Sequence, residues 1–140
     1  MEKSKKNPIF VMVVDDSAVV RGLVSRMLDK DDNIEVVDTV SNGELAVKRV
    51  NDIDLDVIIL DIEMPVMDGL TALPKILEIN PNIKVIMAST LTMKNAEISL
   101  KALQAGAADY IAKPTTSREM TGGQDFEHDL CERVKALGIG

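Results

Sequence analysis

The sequence predicts an α/β domain built on a doubly wound sheet of five parallel strands in the order 2-1-3-4-5, with helices on both faces. Short apolar runs alternate with amphipathic segments five times along the 140 residues. The first and third runs are almost continuously apolar, which is typical of central parallel strands covered on both faces. Right-handed crossovers between such strands give the doubly wound arrangement.

The elements follow one another in a regular order. The predicted strands are 9–15, 34–40, 56–61, 83–89 and 108–113, and the predicted helices are 17–28, 42–51, 70–79, 94–105 and 125–137. The second strand alternates apolar residues with acids, which indicates an edge strand, and Asp68-Gly69 is predicted to begin the third helix. We therefore predict one folded domain over 9–138, preceded by an N-terminal tail of residues 1–8.

Composition excludes several classes of function. The net charge of −7 argues against nucleic-acid binding, and the single cysteine, Cys131, excludes an internal disulfide and fits a reducing compartment. There is no apolar stretch of about 18 residues and no signal-like N-terminus, so we predict a cytoplasmic protein without membrane contact. His128 is the only histidine, which leaves no other base for a Ser-His-Asp or Cys-His arrangement.

Carboxylates follow two apolar strands. Asp61 ends the third strand, and Asp15 and Asp16 end the first. These two could be loop acids or helix N-caps. If the strands are neighbours, the three acids converge, and two unit charges about 4 Å apart cost on the order of 4 kcal/mol at an effective dielectric near 20. A hard cation would relieve that repulsion, and all-oxygen ligands favour Mg²⁺.

The remaining strand ends bring complementary groups. Ser89 ends the fourth strand with Thr90 next in the chain, and Lys113 ends the fifth. Singly, they read as turn formers and a solvated lysine. Together with the carboxylates they suit a phosphoryl group, with Asp61 as nucleophile. No glycine-rich phosphate loop is present, so a durably bound nucleotide is not expected.

The motifs "VVDDS", "DIEMPVMDG" and "AGAADYIAKP", with the hydroxyl residues after strand four, resemble those of response-regulator receiver domains over residues 9 to 137. The resemblance implies a flavodoxin-like fold in which Asp61 accepts a phosphoryl group from a histidine kinase. It also implies that Asp16, Asp61 and the main-chain oxygen of Glu63 hold Mg²⁺, for which Mn²⁺ substitutes, while Asp15 acts through water.

The same resemblance implies further roles. Ser89 binds a phosphoryl oxygen and is preferred to Thr90 because it follows the strand directly; Thr90 is grouped with the switch. Lys113 forms an ion pair with the phosphoryl group, and the Lys113–Pro114 peptide is cis. Tyr110 occupies the position of the switch aromatic, and its alternative role is that of a half-buried packing residue.

A narrower resemblance links the chain to the receivers of chemotaxis-type protein-glutamate methylesterases. It rests on "DGLTALPKIL", "STLTMKNAEISLKALQAGAADYIAKPTT" and "TGGQDFEHDLCERVKALG". In that family a serine-hydrolase domain follows, and receiver phosphorylation unblocks it. No GxSxG-like elbow appears here, so we expect no output domain and no hydrolase site in these residues. Whether the chain is part of a longer methylesterase or a stand-alone regulator stays open, and residues 114–124 are predicted to be a flexible approach to the last helix.

Two other functions fit a sheet of this kind. A flavin or cobalamin carrier would need aromatic stacking and phosphate-cradling loops, but the chain has one Tyr, two Phe and no Trp. An aspartate-nucleophile phosphatase would need a DxDx loop, whereas Ile62 and Glu63 follow Asp61. Incubation with acetyl phosphate and Mg²⁺ separates the three, because only a receiver gains an acyl phosphate that lasts for minutes.

Overall fold

A computed structural model describes residues 7–90, 92–113 and 124–139 of the chain. The strands are Ile9–Val14 (β1), Ile34–Val40 (β2), Val57–Asp61 (β3), Lys84–Ser89 (β4) and Asp109–Ala112 (β5); the helices are Ala18–Asp29 (α1), Gly43–Val50 (α2), Gly69–Ile79 (α3), Met93–Gln104 (α4) and Gln124–Ile139 (α5). No helix within these ranges has the unbroken apolar length that a bilayer crossing requires.

The five strands form one parallel sheet in the order β2-β1-β3-β4-β5, which confirms the predicted topology. β2 lies at an edge, as its alternation of apolar and acidic residues indicated. β1 and β3 are central neighbours, with Val11 paired to Val57 and Val14 to Leu60. Their carboxyl ends therefore emerge side by side, and the residues that follow them are brought to one edge of the sheet.

The core divides between the two faces of the sheet. On one face, β3 contributes Ile58 and Leu60 to a cluster that includes buried residues of α2, α3 and α4. On the other, Val57 and Ile59 join buried residues of α1 and α5. All five residues of β3 are buried. Because both faces are covered, the strand that ends in Asp61 is held rigidly, and an almost unbroken apolar run is what such a strand requires.

The predicted elements are all present, and their ends agree with the prediction to within two residues. One such difference concerns the site, because β5 ends at Ala112, so Lys113 lies just beyond the strand and is not its last residue as predicted. The Lys113 amide still donates to the Ser89 carbonyl oxygen at 2.8 Å. The Lys113–Pro114 peptide bond, residues 114–123 and residues 1–6 of the tail lie outside the described residues, so the predictions made for them stay predictions.

Four helices begin with a side chain that accepts a hydrogen bond from a backbone amide three residues later. The N-caps are Ser17, Asn42, Asp68 and Thr92. Asp68-Gly69 thus begins α3 as predicted. Each cap satisfies an N–H group that would otherwise be unpaired in the first turn. The caps allow helices to start within a few residues of the strand ends, and this keeps the loops around the site short.

Candidate functional site

Three carboxylates meet at the carboxyl edge of the sheet. One oxygen from each of Asp15, Asp16 and Asp61 lies within 4.8 Å of the others. Asp15 and Asp61 are buried, whereas Asp16 is exposed. The neighbouring positions of β1 and β3 produce this convergence, as the sequence predicted. The cluster is therefore a concentration of negative charge that is closed on two sides and open to solvent at Asp16.

Lys113 crosses the end of β4 to reach the cluster. Its Nζ donates to Asp15 Oδ2 at 2.9 Å and to Asp61 Oδ1 at 3.0 Å. With its main-chain amide bonded to Ser89 O, the residue is fixed at both its backbone and its ammonium end. One ammonium against three carboxylates leaves a formal excess of two negative charges. The site can therefore take a further cation without becoming positive.

The electrostatic environment tunes the two partners differently. Burial raises the pKa of Asp61 to about 6, the charges of Asp15 and Asp16 add to that rise, and Lys113 opposes it. Burial lowers the pKa of Lys113, but the hydrogen bond to Asp15 and the attraction of Asp61 outweigh it, so the pKa lies above its usual value. At pH 8 the pair is an ammonium and a carboxylate.

The backbone around Asp15 is held by its own neighbours. The Ser17 amide donates to Asp15 Oδ1 at 2.9 Å, and Arg21 Nη1 donates to the Asp15 carbonyl oxygen at 2.7 Å. Ser17 is the N-cap of α1, so the alternative in which Asp15 or Asp16 caps this helix is wrong. Arg21 was not singled out from the sequence, since an arginine in an amphipathic helix normally reads as a solvated residue.

The two hydroxyl residues after β4 have different surroundings. Asp61 pairs with Ala88 across the sheet, so Ser89 lies one residue further toward the site, and it is buried. Thr90 is exposed, and its hydroxyl accepts a hydrogen bond from Asn95 Nδ2 at 3.2 Å. Ser89 is thus at the edge where a phosphoryl oxygen would be met, while Thr90 is bonded to α4. Their assigned roles stay predictions.

Glu63 and Tyr110 are the two remaining residues that the sequence assigned to the site. Glu63 is the second residue of the loop 62–68 and has an exposed side chain. Tyr110 pairs with Met87 in the sheet, and its side chain is 47% exposed. The ring is therefore outside the core in this conformation, and an inward turn would lower its exposure. The main-chain oxygen and the switch ring keep the status of predicted site groups.

Gly69 is required for α3 to start where it does. A Cβ atom at this residue would lie 2.1 Å from the carbonyl oxygen of Asp61. The Gly69 amide donates to Ile62 O at 2.9 Å, which folds the loop back against the strand. Only glycine permits this approach of one backbone to another. The loop that follows the nucleophile candidate is therefore closed tightly at its far end.

Val66 is the strained residue of that loop. It has φ +69° and is 76% exposed, and the amide of Met67 donates across it to Pro65 O at 2.7 Å. A β-branched residue at positive φ is unfavourable. The loop holds this turn because Met67 O in turn accepts from the Gly43 amide at the start of α2.

Replacing Val66 with glycine is expected to stabilise the protein by about 1 kcal/mol, because relief of backbone strain exceeds the extra entropy of glycine in the unfolded chain. Urea denaturation of the two proteins measures the difference. Val66→Ala is the matched control, since it keeps a Cβ atom at positive φ and should gain less. A glycine variant less stable than the alanine variant would contradict the strain argument.

Comparison with known proteins identifies the family. The model of the response regulator receiver domain family matches residues 11–122. The chain is 67% identical over 131 residues to protein-glutamate methylesterase/protein-glutamine glutaminase 1 of Rhodospirillum rubrum. It is 58% identical over 132 residues to the corresponding protein of Azospirillum brasilense. Each alignment covers 94% of this chain and 34% of the relative, so the chain spans about a third of the length of these relatives.

Solved structures give the same result. The response regulator domain of Thermotoga maritima CheB is similar with a TM-score of 0.84 and 35% identity, covering 95% of this chain and 98% of that one. The CheX-CheY-BeF3-Mg²⁺ complex from Borrelia burgdorferi contains a chain similar at TM-score 0.75 and 29% identity, covering 93% and 89%. Receiver domains generally bind Mg²⁺ through an acidic cluster such as that of Asp15, Asp16 and Asp61. The chain therefore belongs to the response regulator receiver family, the phosphoacceptor domains of two-component signalling, and its similarity is to the receivers of chemotaxis methylesterases.

Proposed function

We propose that Asp61 of this domain accepts a phosphoryl group from the phosphohistidine of a histidine kinase. The observation that carries the proposal is the position of the Asp61 carboxylate, which is buried at the end of a rigid strand, paired with Lys113 and grouped with Asp15 beside an exposed acid, Asp16. A structural ion pair would need one carboxylate. Three carboxylates for one ammonium are explained when the site must also bind a cation and a reacting group.

The transfer mainly requires that the Asp61 carboxylate and the phosphodonor are correctly positioned. Lys113 bonds Asp61 Oδ1, and we assign the attack to Oδ2. A bond forms between Oδ2 and phosphorus, the phosphorus–nitrogen bond of the phosphohistidine breaks, and its electron pair returns to the imidazole. The rigid strand holds the carboxylate in line with the donor, which is the main contribution of the protein to such a step.

The donor set fits a divalent cation, because every ligand is an oxygen and the cluster carries excess negative charge. We assign Mg²⁺ to Asp16, Asp61 and the main-chain oxygen of Glu63, with Asp15 acting through water; Mn²⁺ substitutes. When bound, the ion supplies positive charge that offsets the carboxylates and the phosphoryl oxygens.

Phosphorylation then changes the contacts at the edge of the sheet. The phosphoryl group adds a charge of about −2, and Lys113 transfers one of its hydrogen bonds to it. The Ser89 hydroxyl donates to a phosphoryl oxygen, Thr90 follows it, and Tyr110 turns inward. These movements alter the outer surface of α4, β5 and α5, and this surface is the one we assign to the switch.

The regulated partner is assigned from the relatives. The chain corresponds to about a third of proteins named protein-glutamate methylesterase/protein-glutamine glutaminase. We propose that it controls an output domain of that kind, with phosphorylation relieving a block on it, in the cytoplasm and in chemotaxis signalling. Control of a separate partner by a stand-alone receiver is the alternative. Purification of the parent protein with and without the receiver residues, followed by an esterase assay, distinguishes the two.

Incubation with acetyl phosphate and Mg²⁺ tests the central proposal. We expect the intact mass to rise by one phosphoryl group, and borohydride trapping followed by peptide mapping to place the modification on Asp61. Excess chelator should prevent the gain. Modification confined to any other aspartate, or turnover of the donor without a modified protein, would overturn the assignment, and the second result would favour a phosphatase.

A further inference from the structure

The fully buried side chains of helix α4 are small or polar, and its larger apolar residues Ile98 and Leu103 pack against the core with only partial burial. Its buried residues are Asn95, Ser99 and Ala102, whereas Met93 and Leu100 on its outer side are 86% and 58% exposed. Helix α3, by contrast, buries leucine and isoleucine. Less apolar area is removed from water at the buried side of α4, so less free energy opposes its displacement from the sheet. Specific polar contacts therefore matter more for its position.

Asn95 makes those contacts with the segment that follows β4. Its Nδ2 donates to the Thr90 carbonyl oxygen at 3.1 Å and to Thr90 Oγ1 at 3.2 Å. Its own amide donates to Thr92 Oγ1, the N-cap of the helix, at 3.0 Å. Thr90 is joined directly to Ser89, the hydroxyl we assign to phosphoryl binding. One side chain thus connects the edge of the site with the first turns of α4.

Burial alone does not account for a carboxamide at this position. Asn95 is 3% exposed, and among the described residues its Oδ1 is buried without a hydrogen-bond partner. A buried unpaired acceptor costs on the order of 1 to 3 kcal/mol, a cost that a leucine of similar size would avoid. The opposite amide orientation would set Oδ1 against the Thr90 carbonyl oxygen, so the two donated bonds fix the orientation and are what the residue provides.

We propose that Asn95 couples the end of β4 to helix α4, and that its two hydrogen bonds to Thr90 transmit movement of the Ser89–Thr90 segment to the helix. The inference rests on the proposed function, because it takes phosphorylation of Asp61 as the event that draws Ser89 toward the site. Thr90 moves with Ser89 through one planar peptide unit, and Asn95 moves with Thr90 through the two bonds.

Linkage gives this role a signature that a purely structural role lacks. If phosphoryl binding must also displace α4, the free energy of that displacement is subtracted from the free energy of phosphoryl binding. Cutting the Asn95–Thr90 connection should therefore tighten phosphoryl binding while α4 stays in place. If Asn95 only maintained the fold, its replacement would lower stability, and the responses of the phosphoryl site and of α4 would stay linked.

The test uses beryllofluoride with Mg²⁺ as a stable stand-in for the phosphoryl group, monitored by amide NMR. In the wild type, we expect the Asp61 amide, which reports the site, and the Ala102 amide, which reports α4, to shift with the same half-saturating concentration. In Asn95→Leu the Asp61 shift should persist, and the Ala102 shift should fall below about half of its wild-type size. Half-saturation should occur at a concentration lower by roughly threefold to tenfold, the factor of one hydrogen bond of ordinary net strength.

Controls separate this inference from the fold and from the proposed function. Ser99→Ala removes an equally buried polar group one turn along α4 and should behave as the wild type. Should Asn95→Leu fail to fold, Thr90→Val removes one of the two bonds and should give a smaller effect in the same direction. An Ala102 shift of wild-type size in Asn95→Leu would overturn the coupling. Absence of any Asp61 shift in the wild type would instead overturn the proposed function.

Discussion

Asp61→Asn is expected to abolish phosphoryl incorporation and, at pH 8, to stabilise the protein in the presence of a chelator. The first effect follows from loss of the nucleophilic oxygen. The second follows from burial, which raises the pKa of Asp61 from 3.8 to about 6. A shift of about two pKa units corresponds to about 3 kcal/mol held against the folded state when the group is ionised. A neutral amide removes that cost and leaves Lys113 paired with Asp15.

The stabilisation should depend on pH in one direction. The folded-state pKa of Asp61 lies above the unfolded value, so the wild type binds the proton more tightly when folded. Its contribution to stability is present in full below pH 3.8 and is lost as the pH rises through about 6. The advantage of Asp61→Asn should therefore be largest at pH 8 and should vanish near pH 4, as measured by urea denaturation.

An exposed acid provides the comparison for Asp61→Asn. Asp54 lies at the surface, and Asp54→Asn should leave both phosphorylation and the pH profile unchanged. Two results would count against the assignment of Asp61. The first is incorporation of a phosphoryl group into Asp61→Asn at the wild-type level. The second is a loss of stability at pH 8, relative to the wild type, that is larger in Asp61→Asn than in Asp54→Asn.

The sequence was sufficient to predict the sheet and the groups at its edge. Strand order followed from the run ending in Asp61, which is apolar on both faces, and from the alternating run of β2. Once β1 and β3 are neighbours, side chains at their carboxyl ends have to converge, so the sequence alone places Asp15 and Asp16 beside Asp61. The strand order determines this part of the site, and the spacing of apolar residues along the chain predicts the strand order.

Other parts of the site depend on distances that a linear pattern does not contain. Asn95 reads as an ordinary polar residue in the first turn of a helix, and only the structure shows that it is buried against Thr90. The positive φ of Val66 was missed because valine normally indicates extended backbone. For Gly69 the Asp-Gly pair indicated a helix start, but its close approach to the Asp61 carbonyl oxygen depends on how the loop folds back against the strand. Tertiary contacts override local preference in each case.

Lys113 is the group whose removal should cost the most stability. Lys113→Met keeps the length of the side chain but leaves Asp15 and Asp61 without their shared ammonium. Breaking a buried ion pair by removing one partner costs roughly 3 to 5 kcal/mol. We expect a loss of this size in the free energy of unfolding at pH 8 with a chelator, measured by urea denaturation. Lys135→Met is the control, because Lys135 pairs near the surface with Asp31 and Glu132 and should cost less than about 1 kcal/mol.

Two conditions should restore the stability of Lys113→Met, and both follow from the charge of the cluster. Mg²⁺ should stabilise this variant more than the wild type, because a cation now replaces the missing ammonium and binds the folded state alone. Acid should act in the same direction: the attraction of Lys113 lowers the pKa of Asp61, so without it the folded-state pKa moves above about 6, further from the unfolded value of 3.8. The destabilising charge is then removed as the pH falls from 8 toward 5. A deficit that stays constant with both pH and Mg²⁺ would mean that Lys113 contributes packing rather than charge, and the phosphoryl-binding role assigned to it would lose its electrostatic basis.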